Sequence, residues 1–179
     1  MKRYILTGAP GSGKTTLIRA LAALGCDVVQ EAATDVIARA HAAGVDEPWT
    51  RPDFIDDIVA LQRRRRQESR AVGVEFHDRS AVCTLALARF LGFDAPAALR
   101  DELGRLREDR VFEPRVMFID NLGFCEPTAA RRISFEDSLK FEAVHLATYA
   151  ELGFECVRIA AAPIEARVDC IRREAGLPP

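Results

Sequence analysis

Eight residues near the amino end, Gly8-Ala9-Pro10-Gly11-Ser12-Gly13-Lys14-Thr15, have the spacing G-x-x-x-x-G-K-[ST]. That spacing suits a phosphate-binding loop. Glycines let successive backbone N–H groups turn inward and surround phosphate oxygens. Lys14 is placed to reach the β- and γ-phosphates, and the Thr15 hydroxyl to hold Mg²⁺. Thr16 continues into a helix whose unpaired first-turn donors and positive dipole end also favour an anion. The alternative is a chance glycine-rich turn. The motif specifies a nucleoside triphosphate; it specifies neither which one nor the reaction.

Three acids sit where an apolar run ends. Asp78 leads the turn Asp78-Arg79-Ser80. It suits a Mg²⁺-binding carboxylate, with Arg79 beside it as a phosphate-pairing cation. Asp120, after four apolar residues, competes for the metal role. Both have a plainer reading as caps or turn residues. Glu31 is the first choice for a base and Asp78 the second, since transfer to a hydroxyl needs a carboxylate within hydrogen-bond reach. The plainer reading of Glu31 is a cap on the following helix. Arg131 and Arg132 lie in an irregular stretch, where arginines can close over a γ-phosphate or be solvated. The Arg63 to Arg66 run covers every side of a helix, so one or two of its members can face a cleft and the rest form a solvated face. Gln62 can read a base or an amide, and Trp49 can stack on a ring or pack under its loop. His41, His77 and His145 are expected to be structural.

The elements that must position these groups follow from periodicity. Residues 3–7 form a strand ahead of the loop. Leu17, Ile18, Leu21 and Leu24 form a helical stripe that Gly25 ends. Residues 26–30 read as a second buried strand and 32–43 as a helix. Asp53 is expected to cap a helix with Phe54, Ile55, Ile58, Val59 and Leu61 inward. Residues 74–77 form a third strand, and helices follow over 82–91 and 95–110. A fourth strand spans 115–119. Residues 121–134 have no clear period and read as lid-like. Ser134 caps a helix with Phe135, Leu139, Leu146 and Tyr149 on one face. A fifth strand covers 154–160. Pro163 opens a last helix with Ile164, Val168 and Ile171 inward. Strands alternating with helices imply a parallel sheet covered on both faces. Right-handed crossovers then bring Glu31, Asp78 and Asp120 to the edge where ligands bind.

Bulk numbers narrow the partners. At 179 residues and 49% hydrophobic, the chain can bury the core of one domain, and residues 1–179 read as one. A net charge of −2 gives no global field for nucleic acid or an anionic membrane. Arginine far outnumbers the three lysines, Lys2, Lys14 and Lys140, which reads as codon bias. Cys26, Cys83, Cys125, Cys156 and Cys170 have neither C-x-x-C nor zinc spacing, so free thiols in a cytoplasmic protein are expected. The chain starts directly on a strand, so no leader is expected. No apolar run is long enough to span a bilayer.

Taken in order, Thr7 to Thr16, Val28-Val29-Gln30-Glu31-Ala32-Ala33, Pro48-Trp49-Thr50, His77-Asp78-Arg79-Ser80, and Arg131-Arg132 with Phe135-Glu136 resemble a family filed under AAA-type ATPases. Its fold is closer to nucleoside and nucleotide kinases, and it includes domains similar to the ribosylnicotinamide kinase part of bacterial NAD regulators. The resemblance covers nearly the whole chain. It implies an α/β P-loop NTPase fold with a five-stranded parallel sheet, and an ATP- and Mg²⁺-dependent phosphotransferase site. By likeness to deoxynucleoside kinases, Glu31 matches the base, Asp78-Arg79-Ser80 an acidic-Arg-Ser motif, Arg131 and Arg132 lid arginines, and Gln62 a base-reading glutamine. The implied partner is a small nucleoside- or nucleotide-like acceptor, with no nucleic acid and no membrane; a homodimer is left open. The chain lacks a paired Asp-Glu after a strand and has no room for a separate helical lid domain, which argues against a hexameric motor. Some relatives are linked to GTP and lipid binding, so a nucleotide-dependent switch with slow hydrolysis is the second expectation, and the Arg63 to Arg66 run could serve its partner.

Overall fold

The computed structural model describes residues 1–124 and 133–178. The elements run β1 (Lys2–Thr7), α1 (Lys14–Ala23), β2 (Asp27–Val29), α2 (Ala33–Ala42), a 3₁₀ turn (Pro48–Thr50) and α3 (Asp53–Glu68). There follow β3 (Val74–Asp78), α4 (Ala81–Leu91), α5 (Ala97–Glu108), β4 (Arg115–Ile119), α6 (Phe135–Glu151), β5 (Glu155–Ile159) and α7 (Ile164–Glu174). The five strands form one parallel sheet in the order β2-β3-β1-β4-β5. The order reverses around β1, and a crevice opens there at the carboxyl ends of the strands. Register puts Leu6 of β1 level with Asp78 on one side and with Met117 on the other.

Strands buried on both faces need apolar residues at successive positions. Tyr4, Leu6, Phe76, Met117 and Ile119 face α1 and α7, meeting Leu17, Ile18, Leu21, Val168 and Ile171. Ile5 and Val116 face the other side, where α2 to α6 pack through Ile37, Phe54, Ile58, Val82, Leu99 and Tyr149. Ser80 caps α4 by accepting the Val82 N–H at 3.2 Å. Ser134 caps α6 by accepting the Asp137 N–H at 3.0 Å. Gly25, Gly92 and Gly153 leave their helices at φ of 79, 76 and 81°, where a Cβ would be strained.

Four local expectations are corrected. β2 is three residues long and half-exposed, because it is the edge strand rather than a buried one. α3 begins after Pro52, which supplies the helical φ, and Asp53 makes no cap; its carboxylate is held by Arg51. Ile164 is exposed, so α7 turns Arg167, Val168 and Ile171 inward instead. The buried face of α6 is Ser138, Phe141, Glu142, His145, Thr148 and Tyr149, while Phe135 and Leu139 are exposed. That face is mostly polar and hydrogen-bonded, so an apolar stripe could not reveal it.

Phe76 is fully buried at the centre of the sheet, its ring 6.1 Å from that of Tyr4. Phe76→Ala is expected to cost about 3–5 kcal/mol by denaturant unfolding, with the slope unchanged.

Candidate active site

The loop after β1 is a concave turn of unpaired donors. Gly8, Gly11 and Gly13 have φ of 147, 85 and 76°. A Cβ at Gly8 would lie 2.4 Å from the Ile119 carbonyl oxygen, so the loop can press against the end of β4 only with glycine there. Ser12 N–H bonds back to Ala9 O, and Thr16 and Leu17 N–H bond to Gly13 O. Among the described residues, no acceptor takes the N–H of Gly11, Gly13, Lys14 or Thr15. Four amides aimed into one hollow at the start of α1 suit an anion. Ala9 is buried beneath the loop and Pro10 lines the cleft beside it. Ser12 Oγ is buried and also without a partner.

Four charged side chains meet beside the loop. Lys14 Nζ is 4.0 Å from Asp78 Oδ1, and Arg79 Nε donates to Glu31 Oε1 at 2.6 Å. Glu31 Oε2 accepts from the Thr34 hydroxyl at 2.7 Å. Burial works against ionising Glu31, but the charges of Arg79 and Lys14 outweigh it and bring its pKa down to about 2. Asp78 goes the other way: burial raises its pKa against the pull of Lys14. Burial, then the Arg79 charge, lowers that of Lys14. Asp78 Oδ1 is buried with no hydrogen bond among the described residues. An orphan carboxylate oxygen near the exposed Thr15 hydroxyl fits Mg²⁺, which uses one or two carboxylates alongside phosphate oxygens and water. Asp120 Oδ1 is likewise buried without a hydrogen bond among the described residues, but it differs from Asp78 in having Arg158 Nε 2.5 Å away as an ion-pair partner. Arg131 and Arg132 lie outside the described residues.

The loop and the acids line one cleft of about 710 Å³ that is open to solvent. Trp49, Phe54, Ile58, Leu87, Phe90 and Phe141 line its walls. The Gln62 carbonyl accepts from the Thr84 hydroxyl at 3.0 Å, which leaves its amide hydrogens without a partner among the described residues. Two members of the arginine run turn inward and two are exposed. Arg65 donates to the carbonyls of Gln30 and Glu31 at 3.0 and 2.5 Å and pairs with Asp35, anchoring the Glu31 segment. Arg66 donates to buried Glu102 at 2.7 Å, with Arg105 on the same carboxylate. Arg63, 4.0 Å from Glu102, and Arg64, paired with Glu68 one turn on, are exposed.

A family model described as an AAA domain matches residues 3–167. The chain belongs to the AAA domain family. No curated protein matches it. Among solved structures it resembles a NadR protein in complex with NR, with 20% identity and a TM-score of 0.71 over 99% of this chain and 52% of that one. It thus spans about half the length of that NadR protein. It also resembles deoxyadenosine kinase from M. mycoides with products bound, at 11% identity and TM-score 0.61, over 97% of this chain and 98% of that one. The same kinase with bound dCTP gives 12% and 0.62, over 98% and 99%. At these identities the likeness establishes the P-loop kinase-like fold.

Two residues of this AAA domain site escaped the sequence reading. Arg167 of α7 is buried and donates through Nη2 to Ser12 O at 2.9 Å, bracing the phosphate loop from behind. It shares a helical face with Val168 and Ile171, so the spacing carries the signal, but a charged residue does not read as core. His145, expected to be structural, is bonded to Arg79 Nη1 at 3.2 Å. His77 is bound to buried Glu75 at 2.6 Å and His41 to the Asp46 carbonyl at 3.0 Å. No described helix is long and apolar enough to cross a membrane.

Gly8→Ala is expected to weaken binding of a fluorescent ATP analogue at least ~10-fold and to cost on the order of 1–3 kcal/mol in stability. Thermal or urea unfolding beside a binding titration checks both. Glu31 gives a pH signature. Its folded pKa of about 2 lies below the ordinary 4.5, so its stabilisation is present above the ordinary value and is lost as pH falls through the folded one. Between pH 7 and 3, Glu31→Gln should lose less stability than the native protein by on the order of 1–2 kcal/mol.

Proposed function

We propose that this chain is a cytoplasmic kinase that transfers the γ-phosphoryl group of ATP to a hydroxyl of an uncharged, nucleoside-like acceptor, and that residues 1–179 act as one catalytic domain. The observation that carries the reading is the pairing of two compartments. A hollow of free amides suits a polyphosphate, and the same cleft, lined by Lys14, Thr15 and the Glu31 carboxylate, continues between aromatic walls. A triphosphate switch has use for the first compartment only.

In this reading the amides of Gly8 to Thr15 and the Lys14 ammonium orient the β- and γ-phosphates. Thr15 and Asp78 would hold Mg²⁺, which supplies positive charge against the phosphate oxygens. The acceptor hydroxyl donates to Glu31, which takes its proton as the new O–P bond forms and the bond from the γ-phosphorus to the bridging oxygen breaks. Arg79 keeps Glu31 ionised and offers its remaining N–H groups to the transferring group. The Arg65 and Arg79 cations on the inner wall are already paired, so a phosphate on the acceptor would compete with Asp35 and Glu31 for them. That favours a nucleoside over a nucleotide. The unpaired Gln62 amide suits a carbonyl or ring nitrogen on a flat group stacked among Trp49, Phe90 and Phe141.

The test is a transfer screen of the purified protein with MgATP against nucleosides, nucleotides and vitamin-like alcohols. A nucleoside-type compound is expected to be phosphorylated. Glu31→Gln should lower turnover by about 10²-fold or more, with ATP affinity changed less than about twofold. Turnover unchanged by Glu31→Gln removes Glu31 as the base. No labelled acceptor across the panel, with slow ATP hydrolysis intact, replaces the kinase by the switch.

A further inference from the structure

His145 is fully buried at the middle of α6, on the face that meets α4. Both ring nitrogens are engaged. Nδ1 is 3.0 Å from the Phe141 carbonyl oxygen, and Nε2 is 3.2 Å from Arg79 Nη1. A carbonyl can only accept, and a guanidinium can only donate. Nδ1 therefore carries the hydrogen, Nε2 is bare, and the ring is neutral. The Phe141 ring, 4.2 Å away centre to centre, helps to fix the imidazole plane.

Arg79 needs a second anchor. It is a non-glycine residue at φ 72°, in the left-handed region. Its one link to Glu31 is through Nε at 2.6 Å. A guanidinium held at Nε alone can still swing about that bond; held at Nη1 as well, its plane is set. The chemistry of the second anchor is restricted. A carboxylate at position 145 would compete with Glu31 for Arg79. A cation would repel it. A neutral acceptor orients the guanidinium without drawing it from Glu31.

We propose that His145 is a positioning residue, a neutral hydrogen-bond acceptor that fixes the Arg79 guanidinium in the orientation that holds Glu31 beside Lys14 and Asp78. The importance of this for turnover rests on the reading of Glu31 as the base; the contact itself does not. Burial, and then the Arg79 charge, lower the imidazole pKa to about 3, in keeping with a ring that stays neutral.

The contact can be measured without any substrate, by NMR of the full chain labelled with ¹⁵N in histidine and arginine side chains. His145 is expected as the neutral Nδ1–H tautomer at neutral pH. The Arg79 Nε–H, assigned by its loss in Arg79→Lys, should exchange slowly with solvent. In His145→Leu that exchange should quicken about tenfold or more, the loss expected for a hydrogen bond to a charged group. In His145→Gln, whose side-chain oxygen reaches the position of Nε2, it should stay within about twofold of native. In His145→Glu the Arg79 Nη hydrogens should shift toward the new carboxylate and the Nε–H should lose protection. An Nε2–H or charged imidazole in the native protein overturns the proposal, and so does unchanged exchange in His145→Leu. Should the leucine variant fail to fold, the native tautomer and the glutamine and glutamate variants still decide. A missing phosphate transfer in the acceptor screen would count against the kinase reading while leaving this result standing.

Discussion

The site depends on charge balance in a place where charge is expensive. Lys14 and Asp78 are buried, and Glu31 and Arg79 are largely so. Desolvating any one of them alone would cost several kcal/mol. Two acids against two bases make the cluster neutral, and each member holds another in place. The neutrality also constrains what can bind. A triphosphate entering the hollow brings more negative charge than Lys14 can offset while it also serves Asp78. In the proposed reading the remainder is met by backbone amides and a divalent cation. The cradle and the orphan oxygen of Asp78 are therefore two parts of one electrostatic requirement.

The cluster is rigid because its surroundings tie its backbone as well as its side chains. Arg65 fastens the chain on either side of Glu31 through two carbonyls. Arg167 holds the carbonyl of Ser12, and Arg79 bonds from its own N–H to Leu6 O at 3.0 Å. A lysine could not substitute in the first two positions. The guanidinium reaches two or three acceptors at fixed angles, whereas an ammonium is a point charge on a flexible stem. Whatever biased the composition toward arginine, several arginines in this chain act as planar forks. The one buried lysine that faces the hollow is Lys14, where a compact charge that can follow moving phosphates is the better shape.

What the sequence revealed follows the range of the interactions involved. The phosphate loop was legible because its requirement is local: glycines at fixed offsets, a strand before and a helix after. The strand ends were legible too, since parallel topology carries every strand's carboxyl end to one edge, and Glu31 and Asp78 do meet there. The ties from Arg65 and Arg167 and the face of α6 were not legible. Each joins residues far apart in the chain, and each hides a polar group where periodicity expects an apolar one. Asp78 and Asp120 close two similar strands, and the sequence favours Asp78 only through Arg79 beside it. The ion pair that Arg158 brings to Asp120 from the neighbouring strand is a further difference that no local pattern carries.

Under the kinase reading proposed above, the low pKa of Glu31 bears on how the site would work. A carboxylate held near 2 is a weak base, a poor choice for removing a proton from an alcohol before attack. Phosphoryl transfer does not ask for that. Its transition state is loose, with little bond formation to the incoming oxygen, so the hydroxyl proton becomes acidic only late. What the step needs early is a fixed acceptor that aims the hydroxyl lone pair along the line of transfer. Glu31 is suited to this, since each of its oxygens accepts one hydrogen bond, from Arg79 or from Thr34, and keeps a second lone pair free. The same ion pair that weakens Glu31 as a base holds it still. For a reaction limited by alignment rather than by proton removal, the gain in orientation outweighs the loss in basicity.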